Sequence, residues 1–374
     1  MSSSSRRQIK KTLEKLFKSG WQSWSTTAHS WLKFPRYNFA PSLSVPVFPK
    51  KIKLEPKNKK PAYGWCSWYL HGTNINEEKI LTQAHWMVKN PHRRKLPLEY
   101  LLIDDGWNLW GDWLDVDKQK FPRGLKSTVT KIKKLGLKTG VWIAPFLVDP
   151  KSRLAREHPD WLVHQDGELV EGHNFSHLDR FLAHKKWLLD IRKKAVRQYL
   201  DESLKYLVED CGFELLKLDF LYAIYFNPHL RIGEADRFLR NYLAKIKKTY
   251  PQIYTIACGC PLIPAAGVVD SMRIGPDTKI ISPVFGFLDR PFFNRWYLTS
   301  QVLPTVAKKL WTKKLWHVDP DAFLCRRSLG FSHRQLLKFQ KLIQRGAGNI
   351  FLGDDLTRLS SWRIKKYLLP LFDR

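Results

Sequence analysis

From residue 61 onward, short apolar segments alternate with loops and with stretches of helical periodicity. That alternation narrows most sharply what this chain can fold into. The apolar segments are Ala62–Tyr69, Tyr100–Asp105, Thr139–Phe146, Glu214–Leu221, Ile253–Cys258, Asp270–Gly275, Leu315–Asp319 and Asn349–Asp354. They are too short for helices, and turn residues bound them, so they read as buried strands. Between them, Asn76 to Asn90 carries Ile80, Leu81, Ala84 and Met87 at helical spacing. Trp187 to Cys211 does the same with Leu188, Ile191, Ala195, Tyr199, Leu204 and Leu207, and Gly212 follows as a C-cap. Further helices are predicted at Glu234–Tyr250, Phe293–Ala307, Ser332–Gln344 and Ser361–Leu369. Eight such units in about 310 residues predict an α/β fold, a (β/α)8 TIM barrel over residues 61–374. An open doubly wound sheet is the competing fold, but no G-x-G-x-x-G turn follows the first strand. Residues 1–60 read as a short N-terminal extension: a helix over Arg7 to Phe17, then a basic, Pro-punctuated linker.

Charged residues recur at the C-terminal ends of these strands. The second ends in Asp104-Asp105, the fourth in Lys217 and Asp219, and the sixth in Arg273 with Asp277 after it. The seventh ends in Asp319-Pro320-Asp321 and the eighth in Asp354-Asp355. Charged groups are almost never buried without a partner or a task. In a barrel this rim is where active sites are built. Strand alternation sets Lys217 and Asp219 on one face. The bland alternative for that pair is a buried ion pair.

Composition excludes several classes. Five Cys, at 66, 211, 258, 260 and 325, are odd in number and scattered, which argues against a disulfide framework. Cys258-Gly259-Cys260 has no second pair to complete a zinc site. No run approaches the roughly 20 apolar residues of a membrane span, and the N-terminus lacks a signal-peptide core, so a cytoplasmic protein with no membrane partner is expected. The net charge of +30 keeps polyanion binding open. The absence of finger or ribonucleoprotein motifs makes nucleic acid an unexpected main partner.

Two carboxylates from different strands, without a His or Cys cluster, fit glycoside hydrolysis. Asp219 and Asp277 form the natural pair, because strands four and six share one half of the rim. Lys217 is expected to keep Asp219 ionised, and the loop position of Asp277 suits an acid. Asp104 and Asp105 suit sugar hydroxyls, with helix capping as the alternative for Asp105. Trp65 and Trp142 suit apolar pocket walls. A divalent-metal site at Asp319, Asp321, Asp354 and Asp355 is the minority reading, because no His or Glu joins them. No metal or cofactor is expected.

These segments resemble one known family. Tyr63-Gly64-Trp65-Cys66-Ser67-Trp68-Tyr69, Ile103-Asp104-Asp105-Gly106, Gly140-Val141-Trp142-Ile143-Ala144-Pro145-Phe146, His158-Pro159-Asp160-Trp161, Lys217-Leu218-Asp219-Phe220-Leu221, Cys258-Gly259-Cys260-Pro261-Leu262 and Met272-Arg273-Ile274-Gly275-Pro276-Asp277-Thr278 follow one another as in glycoside hydrolase family 36 α-galactosidases. The resemblance implies a retaining mechanism on terminal α-linked galactose. It implies Asp219 as nucleophile and Asp277 as acid/base, with Asp104 and Asp105 on the galactose hydroxyls. It also implies pocket positions for Lys217, Arg273, Trp142, Cys258 and Trp65, and a site-directed Trp21 or Trp24 from the Gly20–Ser25 segment. Most members carry large β-domains on either side of the barrel, so the oligomeric state stays open. Two other readings stand beside hydrolysis. One is a transglycosylase that passes the same intermediate to a sugar acceptor. The other is a barrel that binds sugar or polyanion without turnover.

Overall fold

The computed structural model describes residues 59–172, 185–280 and 290–373. The expected extension therefore lies almost wholly outside the described residues, including its helix and Trp21 and Trp24.

The eight predicted strands form one parallel sheet. They are β1 (Tyr63–Cys66), β2 (Tyr100–Ile103), β3 (Lys138–Ile143), β4 (Leu215–Leu218), β5 (Tyr254–Ala257), β6 (Ser271–Arg273), β7 (His317–Asp319) and β8 (Ile350–Leu352). Neighbours in sequence are neighbours in space from β1 to β7, and β8 returns to pair with β1. The remaining seam, between β7 and β8, is drawn together by hydrogen bonds from Asn349 N to Val318 O (2.9 Å) and from Phe323 N to Phe351 O (2.7 Å). The sheet is thus a nearly closed (β/α)8 barrel. Gly348 permits that seam, because a Cβ there would lie 2.0 Å from the Val318 carbonyl oxygen. Each strand is shorter than its apolar segment. In the second, fourth and eighth segments the last residues leave the ladder and carry their carboxylates, Asp104, Asp219 and Asp354, past the strand end.

The helices α1 (Glu77–Lys89), α2 (Gly124–Lys134), α3 (Lys194–Lys205), α4 (Ile232–Thr249), α5 (Leu262–Ala265), α6 (Pro291–Tyr297, continued by Leu298–Val302 and Leu303–Lys309), α7 (His333–Gly346) and α8 (Ser361–Arg363, continued by Ile364–Leu368) surround the sheet. Asn76 caps α1 by accepting from Lys79 N, and Ser332 caps α7 by accepting from Gln335 N. Two expectations need correction. The helix expected from Trp187 begins only at Lys194, because Trp187–Leu188 pairs antiparallel with Leu147–Val148. Leu188, Leu189 and Ile191 are buried there, so their apolar pattern reports burial rather than a helix face. Helix α2 was not anticipated. Its buried positions are Leu125, Thr128, Val129 and Ile132, a stripe diluted by polar and basic neighbours. All five cysteines are free and buried.

Candidate active site

The rim is organised around two buried cations, Lys217 and Arg273. Lys217 comes from the end of β4 and donates to Asp104 Oδ2 at 2.7 Å. The same oxygen accepts from the Cys66 thiol at 3.2 Å, and Asp104 N donates to Ser67 Oγ. Strands β1, β2 and β4 are thereby fastened at one point. Burial alone would push the Lys217 ammonium down. Asp104 outweighs that, with smaller help from Cys66, Cys258 and Asp219, and holds it well above the usual lysine range. The direct ion-pair partner of Lys217 is thus Asp104, and Asp219 interacts with it through charge alone.

Asp219 follows β4 directly. The chain turns sharply after it, with Phe220 in the left-handed region at φ 51°. The Phe220 amide donates to Asp219 Oδ1 at 2.7 Å, and the Trp142 indole of β3 donates to Oδ2 at 2.9 Å. The Cys258 thiol, at the end of β5, stands close enough to feel this carboxylate. Burial first and then Asp219 drive that thiol well above its ordinary pKa. Both oxygens of Asp219 are therefore aimed, and neither is consumed by a cation.

Arg273 on β6 joins the other half of the rim. Its guanidinium donates to Asp277 Oδ1 at 2.8 Å and lies 3.0 Å from Asp321 Oδ1; its Nη1 is also 3.8 Å from Cys258 Sγ. Asp219 and Asp277 thus stand on either side of one thiol and one guanidinium. The Asp277 side chain is 43% exposed, whereas Arg273 is only 7% exposed.

Asp105 stands apart from both cations. It is buried, and its Oδ1 accepts from the Trp110 indole at 2.8 Å. Burial, with a smaller push from Asp104 and against the Trp110 hydrogen bond, raises its pKa from 3.8 to about 7. It caps no helix, since the next one is α2 at Gly124. Its raised pKa has a measurable consequence. The folded state keeps a proton that the unfolded chain has already lost, so this carboxyl costs stability as pH climbs from about 4 to about 7, and the cost is constant above that. Asp105→Asn removes the titration. Its melting temperature is expected to gain a few degrees on wild type between acid and neutral pH, and parallel melting curves across that window would contradict this.

Trp142 is 2% exposed and packs at 5.0 Å from Trp110, which lies 5.2 Å from Phe220. Together these rings wall the side of the site nearest Asp105 and Asp219. Trp65, expected at a pocket wall, is fully buried, and its indole donates to the Asp354 carbonyl. Sequence reasoning missed Tyr69, Trp110, Thr278 and the task of Asp321. Asp321 accepts from the Thr278 amide (2.7 Å), the Thr278 hydroxyl (2.8 Å) and the Tyr69 hydroxyl. Tyr69 and Trp110 each lie a few residues past a strand end, and that position was the available signal. The carboxylates of the minority metal reading do separate work. Asp319 bonds the Asp321 amide, Asp354 bonds Arg326, and Asp355 bonds Gln83 and Thr357. Among the described residues no group of three or more His, Cys, Asp or Glu is placed to hold a metal ion.

The site brings five acidic side chains, of Asp104, Asp105, Asp219, Asp277 and Asp321, around the buried Lys217 and Arg273, with a further buried cation, Lys186, beside Trp110 and Asp105. In a protein of net charge +30, acidic groups thus outnumber cations at this rim. Such an arrangement favours charge that develops as a cation in a transition state.

Comparison with known proteins gives a consistent result. The Melibiase family model matches residues 66–259, more than half of the chain. Alpha-galactosidase AgaA of Geobacillus stearothermophilus is 29% identical over 162 residues, which is 41% of this chain and 20% of that protein. Probable alpha-galactosidase B of Talaromyces emersonii is 42% identical over 97 residues, which is 24% of this chain and 21% of that protein. The chain spans between a fifth and under a third of the length of the curated relatives it matches first. Among solved structures, the α-galactosidase TtGalA of Thermus thermophilus superposes with a TM-score of 0.68 at 26% identity, covering 86% of this chain and 63% of that one. That protein was solved with p-nitrophenyl α-D-galactopyranoside and with stachyose.

Proposed function

This chain belongs to the Melibiase family, and from that premise we propose that it is a retaining α-galactosidase that releases terminal α-linked galactose. The observation that carries the proposal is that Asp219 and Asp277 stand at one rim on either side of Cys258 and Arg273, where acidic groups outnumber cations. Asp219 attacks the anomeric carbon while the bond to the leaving oxygen breaks, and Asp277 gives that oxygen its proton. A covalent galactosyl ester on Asp219 results. Asp277, now a carboxylate beside Arg273, takes a proton from water. The water oxygen attacks the same carbon, and Asp219 leaves with its bonding pair.

Trp142 and the Phe220 amide hold the attacking carboxylate in one orientation, so little rearrangement is needed on the way to the transition state. Asp104 and Asp105 would accept from galactose hydroxyls, with Lys217 fixing Asp104. Hydroxyl donation favours the ionised form of Asp105, so sugar binding near neutral pH would release a proton from it.

The test is the leaving-group dependence of Asp277→Ala. The kcat/KM of an aryl α-galactoside with an acidic phenol, which reports formation of the ester and not its hydrolysis, should fall by roughly tenfold or less. That of an alkyl α-galactoside should fall by about 10³-fold or more, because only the latter needs protonation. Equal losses on both would remove Asp277 from the acid role. NMR of the first product formed should show the α-anomer of galactose, whereas initial β-galactose would overturn the retaining mechanism.

A further inference from the structure

We propose that the outer face of α7 and α8 is a docking surface for an anionic lipid bilayer, a surface contact rather than a span. The charge of this protein is not evenly laid out. No Glu follows Glu234, and from Leu303 to Arg374 fifteen Lys and Arg face only five Asp. Three of those five, Asp319, Asp321 and Asp354, are buried inside the barrel. Asp355 is engaged by Gln83, Thr357 and Arg358. The outside of this sector is therefore almost free of compensating charge.

The fold gathers the cations. Helix α7 buries Leu336, Phe339, Leu342 and Ile343 against the barrel. The opposite face exposes Arg334, Lys338, Lys341 and Arg345. That spacing sets four cations in one line about 16 Å long. Gln340 and Gln344 of α7 donate to the carbonyls of Tyr367 and Pro370, each at 2.6 Å, so α7 and the α8 segment share one continuous surface. Lys365 and Lys366 are exposed on it. None of these six cations forms an ion pair among the described residues. At the catalytic end of the same surface, Trp362 is 58% exposed, one of the few large apolar side chains that face solvent.

Two features favour a bilayer over nucleic acid. Helix α7 is packed along its length on the barrel wall and cannot enter a groove. Four of the six cations are Lys, point charges suited to a diffuse anionic plane, rather than the Arg forks that grip single phosphates. An exposed Trp beside such charges suits the headgroup interface. By sequence alone, Ile9, Leu13, Leu16 and Phe17 among Arg6, Arg7, Lys10, Lys11, Lys15 and Lys18 form a second basic amphipathic pattern of the kind that lies on membranes. This inference replaces the sequence expectation that no membrane is a partner.

The test is co-sedimentation of the full chain with phosphatidylcholine vesicles, with and without phosphatidylserine, at low and high salt. Binding should require phosphatidylserine and weaken with salt. Each cation near such a surface is worth about fivefold in partitioning. The quadruple variant Arg334→Gln, Lys338→Gln, Lys341→Gln, Arg345→Gln should therefore partition about 600-fold more weakly. A matched variant on α2 and α3, with Lys126, Lys134, Lys194 and Lys205 each replaced by Gln, should change partitioning by less than about tenfold. Equal losses from both variants would show that bulk charge alone acts and overturn the proposal. So would wild-type protein that ignores the vesicles and shifts nucleic acid in a gel. Thermal melts of each variant establish folding independently of the catalytic reading.

Discussion

Asp219→Ala is expected to lower kcat on an aryl α-galactoside by roughly four orders of magnitude or more, while the melting temperature moves by no more than about 2 °C. The two halves of that expectation rest on different contacts. Rate is lost because no other carboxylate can reach the same place. Asp104 is bound to Lys217, Asp321 to Thr278 and Arg273, and Asp277 to Arg273. Stability is kept because Asp219 fastens no buried cation. It accepts from the Trp142 indole and the Phe220 amide, and it is half-buried, so water can replace a missing acceptor. A small external nucleophile supplies a sharper readout. Azide entering the space left by Ala should restore turnover and yield β-galactosyl azide, the product of one inversion instead of two. Restored turnover with the α-azide, or a near-normal rate without azide, would move the nucleophile elsewhere.

The strands were legible because a barrel strand is buried on both faces and must be apolar almost throughout. The segment Glu214–Leu221 shows both what this reveals and what it hides. Its apolar run located β4, and its two charges marked the rim, yet the run gave no sign that the ladder ends at Leu218 or that Phe220 turns left-handed. Pairing across the barrel was illegible for the same reason. Lys217 and Asp219 are two residues apart, so sequence suggested a local pair, while the closer partner, Asp104, is supplied by a strand more than a hundred residues earlier. Helix boundaries failed where periodicity and burial are confounded. Leu188 and Ile191 are apolar because Trp187–Leu188 lies under the Leu147–Val148 ladder, and a helix period fitted them by accident. Asp321 was visible as a rim carboxylate, but its task depends on Tyr69 and Thr278, which reach it from two other loops.

That task supports the second large effect. Asp321→Asn is expected to destabilise the fold by about 3–5 kcal/mol, lowering the melting temperature by on the order of 10 °C. One oxygen of Asp321 faces the Arg273 guanidinium, and the other takes the Thr278 amide, the Thr278 hydroxyl and the Tyr69 hydroxyl. An Asn side chain must turn its NH2 toward one of these sets, and each contains a group that can only donate, the Arg273 guanidinium in one and the Thr278 amide in the other, so either rotamer buries an opposed donor pair. Asp321 also holds a non-glycine φ of 82°, a strained conformation that persists only while these bonds over-determine it. The consequence for catalysis runs through Asp277, since Thr278 is its chain neighbour and Arg273 its ion-pair partner. In wild-type background the substitution should lower kcat on an alkyl α-galactoside by about 10- to 100-fold, with KM changed much less. In the Asp277→Ala background the same substitution should cost almost nothing further, because its route to the leaving oxygen is already gone. A full loss in both backgrounds would mean that Asp321 acts on the sugar or on the fold at large, and not by fixing the acid.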